Sequence, residues 1–270
     1  MPRLRVWPLD RLLLHEEADP TRVARLAEAL QRDGVLRNPP VVAPIGRGRA
    51  VVLDGANRVT ALRALRLPHA VVQEIAYEDP GVRLSVWRHY VPEDVPGTLR
   101  AAAATAAPDS TARAGDAAEA ESRITAGEAL AAVVDAEGGV VLLRTGGDKF
   151  GTELLRRLAA LYRDAPAVQR VERGALAEME AAYGRGALVM FRRFAKADIL
   201  ALARDGGRLP AGITRHVIPG RALRLNTPLA WLSGRVDTAA AQAALDAQLR
   251  QRWQAHGVRY YAEPAFLFDE

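Results

Sequence analysis

The sequence predicts a mixed α/β (α+β) protein built from two structured segments, and three observations carry that expectation. Strand-like and helix-like hydrophobic patterns alternate through the first ninety-odd residues. From about Pro92 to Thr125 the pattern gives way to alanine runs with Pro108, Asp109, Ser110 and Gly115 and almost no large apolar side chains. Alternation then resumes and continues to the C-terminal region. The expected organisation is a first domain over 1–92, an Ala-rich linker or peripheral arm over 93–125, and a second α/β domain over 126–270. With 270 residues, 49% hydrophobic and 26% charged, the chain has the balance of an ordinary globular protein and enough length to bury a core in each part.

Taken in order, Leu4 to Leu9 alternates as a short strand. Asp19 or Thr21 can cap a helix whose apolar positions Val23, Leu26, Ala27 and Leu30 follow the i, i+3, i+4, i+7 rule, and Gly34 stops it. Pro39 to Ile45 and Ala50 to Leu53 read as two strands joined at Gly46-Arg47-Gly48, the first starting after its prolines. Asn57 to Leu67 is helical, with Val59, Leu62 and Leu65 on one face and Pro68 as the stop, and Ala70 to Ile75 returns as a strand. In the second half, Ala131–Asp135 and Val140–Arg144 form a hairpin around Ala136 to Gly139. Helices are expected at Phe150–Arg163, Ala175–Tyr183, Lys196–Arg204 and Ala239–Ala255, and strands at Ala187–Phe191, Ile213–Ile218 and Tyr260–Phe268.

Composition narrows the chemistry. The chain has no cysteine, which removes disulfides, thiolate metal sites and cysteine nucleophiles, so any metal is held by oxygen or histidine. Basic residues near Met1 are followed by Asp10, Arg11, Glu16 and Glu17 rather than an apolar run, so neither a signal peptide nor a membrane span is expected, and the cytoplasm is the expected compartment. The net charge of +5 suits an anionic partner such as a nucleotide, a phosphorylated metabolite or nucleic acid. Nearly all of that charge is arginine, with Lys only at 149 and 196, which a GC-rich coding bias explains equally well.

Three clusters and two outlying residues are candidates for function. The run Val51-Val52-Leu53-Asp54-Gly55-Ala56-Asn57-Arg58 leads a buried strand through a glycine turn into a helix N-terminus. There the first backbone N–H groups lack internal partners and the helix dipole favours an anion, with Arg58 as a second contact and Asp54 as a ligand for magnesium. The plainer reading makes Asp54 a cap and Arg58 a solvated side chain. Leu14-His15-Glu16-Glu17 places a carboxylate in a loop after a strand, able to accept a proton from a hydroxyl or simply to favour the following helix. Thr214-Arg215-His216 sets a hydroxyl, a guanidinium and an imidazole in succession, either to hold a polyphosphate or as surface display. Strand alternation puts Thr214 and His216 on one face and Arg215 on the other. Trp87, with His89 nearby, can line a pocket or pack, and Arg37 joins Trp87 as a substrate-binding candidate.

Together these segments resemble a known family. Leu12 to Gln73, with its helix, the Asp33-Gly34-Val35-Leu36-Arg37-Asn38-Pro39 stretch and the Leu53-Asp54-Gly55 turn, is similar to a ParB N-terminal-like domain of the ParB/sulfiredoxin-like superfamily. Leu14-His15-Glu16 and Leu53-Asp54-Gly55 with Arg58 look like the free L-serine kinases rather than the partition proteins, including the kinase linked to siderophore synthesis. Leu209 to His216 and Gly220 to Leu229 resemble the C-terminal part of that member. The resemblance implies a kinase that makes O-phospho-L-serine from free L-serine, with ATP or ADP as donor and Mg2+ as cofactor. It implies Glu16 as base, with Asp54 and Asn57 also catalytic. Gly55, Ala56, Arg58, Thr214, Arg215 and His216 would contact nucleotide and phosphate, with Trp87 and Arg37 toward the substrate and Asp54 toward the metal. Asn57 departs from the family, which usually has histidine there; asparagine still donates a hydrogen bond but carries no charge. Alternative readings are a ParB-like DNA-binding or regulatory protein and a nucleotide binder without kinase activity. DNA is the less favoured partner because no helix-turn-helix follows the first domain. Oligomeric state is left open.

Overall fold

The computed structural model describes residues 2–93, 97–107, 109–144, 148–165, 167–172, 176–234 and 237–260. The expected C-terminal strand lies, past Tyr260, outside the described residues. Two compact units divide the chain: Met1–Leu14 with Ala18–Arg83 and Val217–Glu270, and His15–Glu17 with Leu84–His216.

In the first unit the chain runs β1 (Arg3–Pro8), β2 (Leu12–Leu14), α1 (Pro20–Asp33), β3 (Val35–Leu36), β4 (Val41–Pro44), β5 (Ala50–Asp54), α2 (Ala56–Ala64) and β6 (His69–Glu74). A five-stranded mixed sheet has the order β1-β6-β4-β5-β2, with β2 parallel to β5 and β4 antiparallel to it. The Asp19 carboxylate accepts the Arg22 N–H at 3.1 Å to cap α1, Pro20 opens the helix and Gly34 closes it. Its apolar stripe of Val23, Leu26, Ala27 and Leu30 packs on a core that includes Leu12, Leu14, Val52, Val59 and Leu62. Strand β5 is buried from Ala50 to Leu53 because β4 and β2 flank it, so the chain leaves the sheet at the half-buried Asp54 and turns at once into α2.

The second unit contains β7 (Arg83–Val86), β8 (Arg88–Pro92), α3 (Thr98–Ala106), β9 (Thr111–Ala114), α4 (Ala117–Thr125), β10 (Ala131–Asp135), β11 (Gly139–Leu143), α5 (Thr152–Ala160), β12 (Gln169–Val171), α6 (Leu176–Tyr183), β13 (Gly186–Phe191), α7 (Lys196–Arg204) and β14 (Thr214–Val217). Six strands form an antiparallel sheet in the order β12-β8-β13-β10-β11-β9, and β14 pairs with β7. The expected hairpin is β10 and β11, in register from Ala131 opposite Leu143. The Ala-rich segment is structured: it supplies α3, the edge strand β9 and α4. Leu99, Ala103, Ala120 and Ile124 are buried there, the small alanines giving each helix a side that sits close against the sheet.

From Val217 the chain is again part of the first unit. There β15 (Thr227–Pro228) pairs with β3, and α8 (Thr238–Gln254) lays Ala241 and Leu245 into a cluster with Leu4, Val6, Val71, Leu225 and Leu232. Among the described residues no helix is long and apolar enough to cross a membrane.

Candidate functional site

The first cluster is the turn that ends β5. Gly55 adopts φ +98°, a left-handed conformation that L side chains rarely adopt, and serves as the N-cap of α2 without any side-chain cap. The first turn of α2 is thus left to an outside acceptor, which suits an anion. Beside it the Asp54 Oδ2 accepts from Arg58 Nη2 at 2.5 Å and from Arg221 Nη2 at 2.5 Å. Burial pushes the Arg58 guanidinium below its ordinary pKa, Asp54 opposes that, and the charge of Arg221 adds to it. A second Arg58 contact, from Nη1 to the Asn38 carbonyl at 3.3 Å, fixes its plane. Asn57 Oδ1 accepts the Asp19 N–H at 2.9 Å, tying α2 to the cap of α1. With its oxygen turned to the Asp19 N–H, the Asn57 amide has its nitrogen's N–H donors at the other end.

Arg221 is absent from the sequence-based candidates. It reaches Asp54 because the segment from Gly220 is pinned by backbone contacts: Gln73 Nε2 donates to the Gly220 carbonyl at 3.0 Å, Ala222 N donates to Gln73 Oε1 at 2.8 Å, and Arg224 N donates to Asn38 Oδ1 at 2.8 Å. Only the arginine in Gly220-Arg221-Ala222 signals it in sequence, and its partner is 167 residues away. Arg37 is exposed, donating to Asp33 Oδ2 at 3.2 Å, and its carbonyl accepts from Asn226 N. Its partners are thus Asp33 and Asn226 rather than Asp54 or Arg58.

The second cluster surrounds Glu16, in the second unit. Backbone bonds from Leu209 N to the His15 carbonyl and from Glu17 N to the Leu209 carbonyl, both 2.8 Å, lay residues 15–17 alongside the approach to β14. Glu16 Oε1 then accepts from Thr214 N at 2.5 Å and from Thr214 Oγ1 at 2.6 Å, while Oε2 accepts from Gly212 N at 3.2 Å. His15 Nε2 lies 2.8 Å from the same Thr214 hydroxyl, and the His216 ring stands edge-on to His15 at 5.3 Å. Gly212 has φ +79°, and a Cβ there would collide with the Arg170 guanidinium. Its carbonyl accepts from His89 Nε2 at 2.8 Å, and His89 Nδ1 lies 2.8 Å from the Tyr162 hydroxyl. Burial pushes the His89 imidazole down to about 4, the Gly212 bond opposing and the Arg170 charge adding, so it is neutral near pH 7.

The alternation expected for Thr214-Arg215-His216 is seen in their partners. Thr214 and His216 meet His15, whereas Arg215 pairs with Glu172 and lies with its Cζ 4.7 Å above the Trp87 ring. Trp87 N donates to the Ile213 carbonyl at 2.8 Å, so Trp87 braces the strand through both its backbone and its ring. A cleft of about 930 Å³ also opens in the second unit, with Arg88, Glu121, Glu172 and Arg192 in its walls. Neither Glu16 nor Thr214 lines it, and the convergent polar groups at Glu16 are the stronger mark of chemistry.

No protein-family model matches the chain. It is 28% identical over 234 residues to the "ATP-dependent L-serine kinase SbnI" of Staphylococcus aureus, covering 85% of this chain and 84% of that protein. This chain is a relative of the L-serine kinases. An "ATP-dependent L-serine kinase" of Desulfurococcus mucosus is 25% identical over 230 residues, covering 82% of this chain and 88% of that one. Among solved structures, a C-terminally truncated SbnI from Staphylococcus aureus superposes with a TM-score of 0.72 at 24% identity, over 93% of this chain and 97% of that one. A glutamate-to-alanine variant of a free serine kinase in complex with ADP gives 0.69 at 18% identity, over 85% and 93%. The mixed α/β fold of this relative is therefore that of the serine kinases.

Proposed function

We propose that this protein phosphorylates the hydroxyl of free L-serine to O-phospho-L-serine with ATP as donor. The observation that carries the reading is the turn at Asp54, where an uncapped helix N-terminus opens beside two guanidiniums that share one carboxylate. Phosphoryl transfer depends mainly on positioning and on neutralising charge, and those parts suit a polyphosphate. Arg58, the Gly55 and Ala56 backbone and the Asn57 amide bind phosphate oxygens. Glu16 takes the proton of the serine hydroxyl. His216, on the face of β14 that meets His15, and Arg215, held over Trp87, contact the nucleotide, and Trp87 and Arg37 bear on the substrate side.

Magnesium fits Asp54. Both guanidinium contacts fall on Oδ2, so Oδ1 is available as a single hard oxygen ligand. Mg2+ in nucleotide sites is commonly held by one or two carboxylates together with substrate phosphates. Among the described residues no group of three or more acidic or histidine side chains is arranged to hold an ion, in keeping with a cation carried largely by the nucleotide. When bound, the ion would neutralise phosphate charge.

The first ninety-odd residues are read as the ParB/sulfiredoxin-like part of the chain, and the protein as cytoplasmic. The test of the function is a ³¹P NMR assay of the full chain with L-serine, Mg2+ and either ATP or ADP. A phosphomonoester signal that appears only with serine and nucleotide together is expected, larger with ATP. Nucleotide binding without that signal would overturn the reading in favour of a binder without kinase activity.

A further inference from the structure

We infer that Thr214 and His15 are positioning residues that leave Oε2 of Glu16, and not Oε1, to take the acceptor's proton. The inference rests on the serine kinase reading of Glu16 and assigns the reacting atom within it.

The argument is one of counting protons and lone pairs. A carboxylate oxygen accepts about two hydrogen bonds in its plane. Oε1 already receives two short ones, from the Thr214 N–H and the Thr214 hydroxyl, and is saturated. Oε2 receives one contact, the Gly212 N–H at 3.2 Å, and keeps a lone pair. The two oxygens of a carboxylate are equivalent in water and are not equivalent here.

The Thr214 hydroxyl has a single proton, and an ionised Glu16 can only accept, so that proton points at Oε1. The bond between His15 Nε2 and Thr214 Oγ1 must then run from the imidazole N–H to the hydroxyl oxygen, which puts a proton on Nε2 of His15. His15, Thr214 and Glu16 thus form a line of hydrogen bonds polarised toward the carboxylate, and such chains strengthen one another. Thr214 is buried and the His15 ring is buried, so water does not compete for the line. In the transfer, the serine O–H bond breaks as its proton passes to Oε2. The oxygen's electron pair forms the new O–P bond, and the bond between phosphorus and the nucleotide's bridging oxygen breaks with its pair leaving on the nucleotide. Thr214 touches neither reacting partner in this scheme; it aims the base.

Two measurements on the full chain test this. In a long-range ¹H–¹⁵N spectrum of the five histidines, the signal lost in His15→Gln should show the pattern of an imidazole protonated at Nε2. An Nδ1–H pattern for that residue would overturn the hydrogen-bond direction. In steady-state assays, Thr214→Val should lower kcat by about 10-fold or more, since small misplacement of a reacting group is costly, with the KM for ATP within about 2-fold of wild type. Thr214→Ser, which keeps the hydroxyl, should recover most of the lost kcat. Equal kcat in Thr214→Val and wild type, or a rise in the KM for ATP with kcat unchanged, would overturn the positioning role and make Thr214 a nucleotide contact. A wild-type protein that forms no phosphoserine defeats the kinase reading, while the histidine spectrum still decides the direction of the line.

Discussion

At Gly55 a Cβ built on the backbone would lie 2.8 Å from Arg58 Nε and 2.9 Å from Arg58 Nη2. The left-handed turn and the buried guanidinium therefore need glycine for two separate reasons. Gly55→Ala should cost about 1–3 kcal/mol of stability from backbone strain and also drive Arg58 off Asp54, so both the unfolding temperature and the affinity for ATP fall. A variant that keeps its ATP affinity would show that Arg58 does not hold the phosphates. Glu16→Gln keeps the shape of the side chain and removes its ability to take a proton. Turnover should drop by roughly 10²-fold or more while nucleotide binding, followed by calorimetry, stays near the wild-type value. Much of this was legible in sequence: Asp54, Gly55 and Arg58 announce a turn before a helix, and Glu16 stands in a loop. Arg221 on Asp54 and Thr214 on Glu16 were not legible as contacts, because separations of 167 and 198 residues leave no local pattern.

On strand β8, His89 gives the second unit a pH response. His89 is held neutral by burial, with a folded value near 4 against an ordinary 6.5. A depressed histidine means that the unfolded chain binds the extra proton first, so its contribution is complete above about 6.5 and is lost as pH falls toward 4. The loss should amount to about 3 kcal/mol across that window. Denaturant midpoints measured from pH 7 down to pH 4 should show it, and His89→Gln should flatten the curve. The His89 Nε2–H bond to the Gly212 carbonyl survives that protonation; the added proton goes to Nδ1, where it takes away the acceptor that faces the Tyr162 hydroxyl. Elements with a full period were readable in advance: α1 shows its stripe and its glycine stop, and β10 and β11 their hairpin. The short β2 and β3 were not, since two or three residues display no alternation, nor was β9, an edge strand whose Thr-Ala-Arg-Ala has little β-forming character.

The division of the whole chain follows contacts rather than composition. The Ala-rich stretch, the most evident break in sequence, carries α3, β9 and α4 inside the second unit, while the first unit is made from two separated segments. What closes the first unit is the cluster of Leu225, Leu232, Ala241 and Leu245 on Leu4, Val6 and Val71. Leu245 is fully buried there, so Leu245→Ala should cost about 2–5 kcal/mol, visible as a lower unfolding temperature in calorimetry. No pattern in residues 1–92 says that their sheet is finished by α8, because amphipathicity states that a face is covered and not what covers it. The split has a consequence for birth on the ribosome. Leu4 and Val6 meet Val71 early, yet their partners Leu225, Leu232, Ala241 and Leu245 emerge only after residues 84–216, a wait on the order of 10 s at ordinary rates of synthesis. The second unit, almost contiguous, can be complete before the first has its last layer, and the face of β1 that α8 covers spends that interval bare.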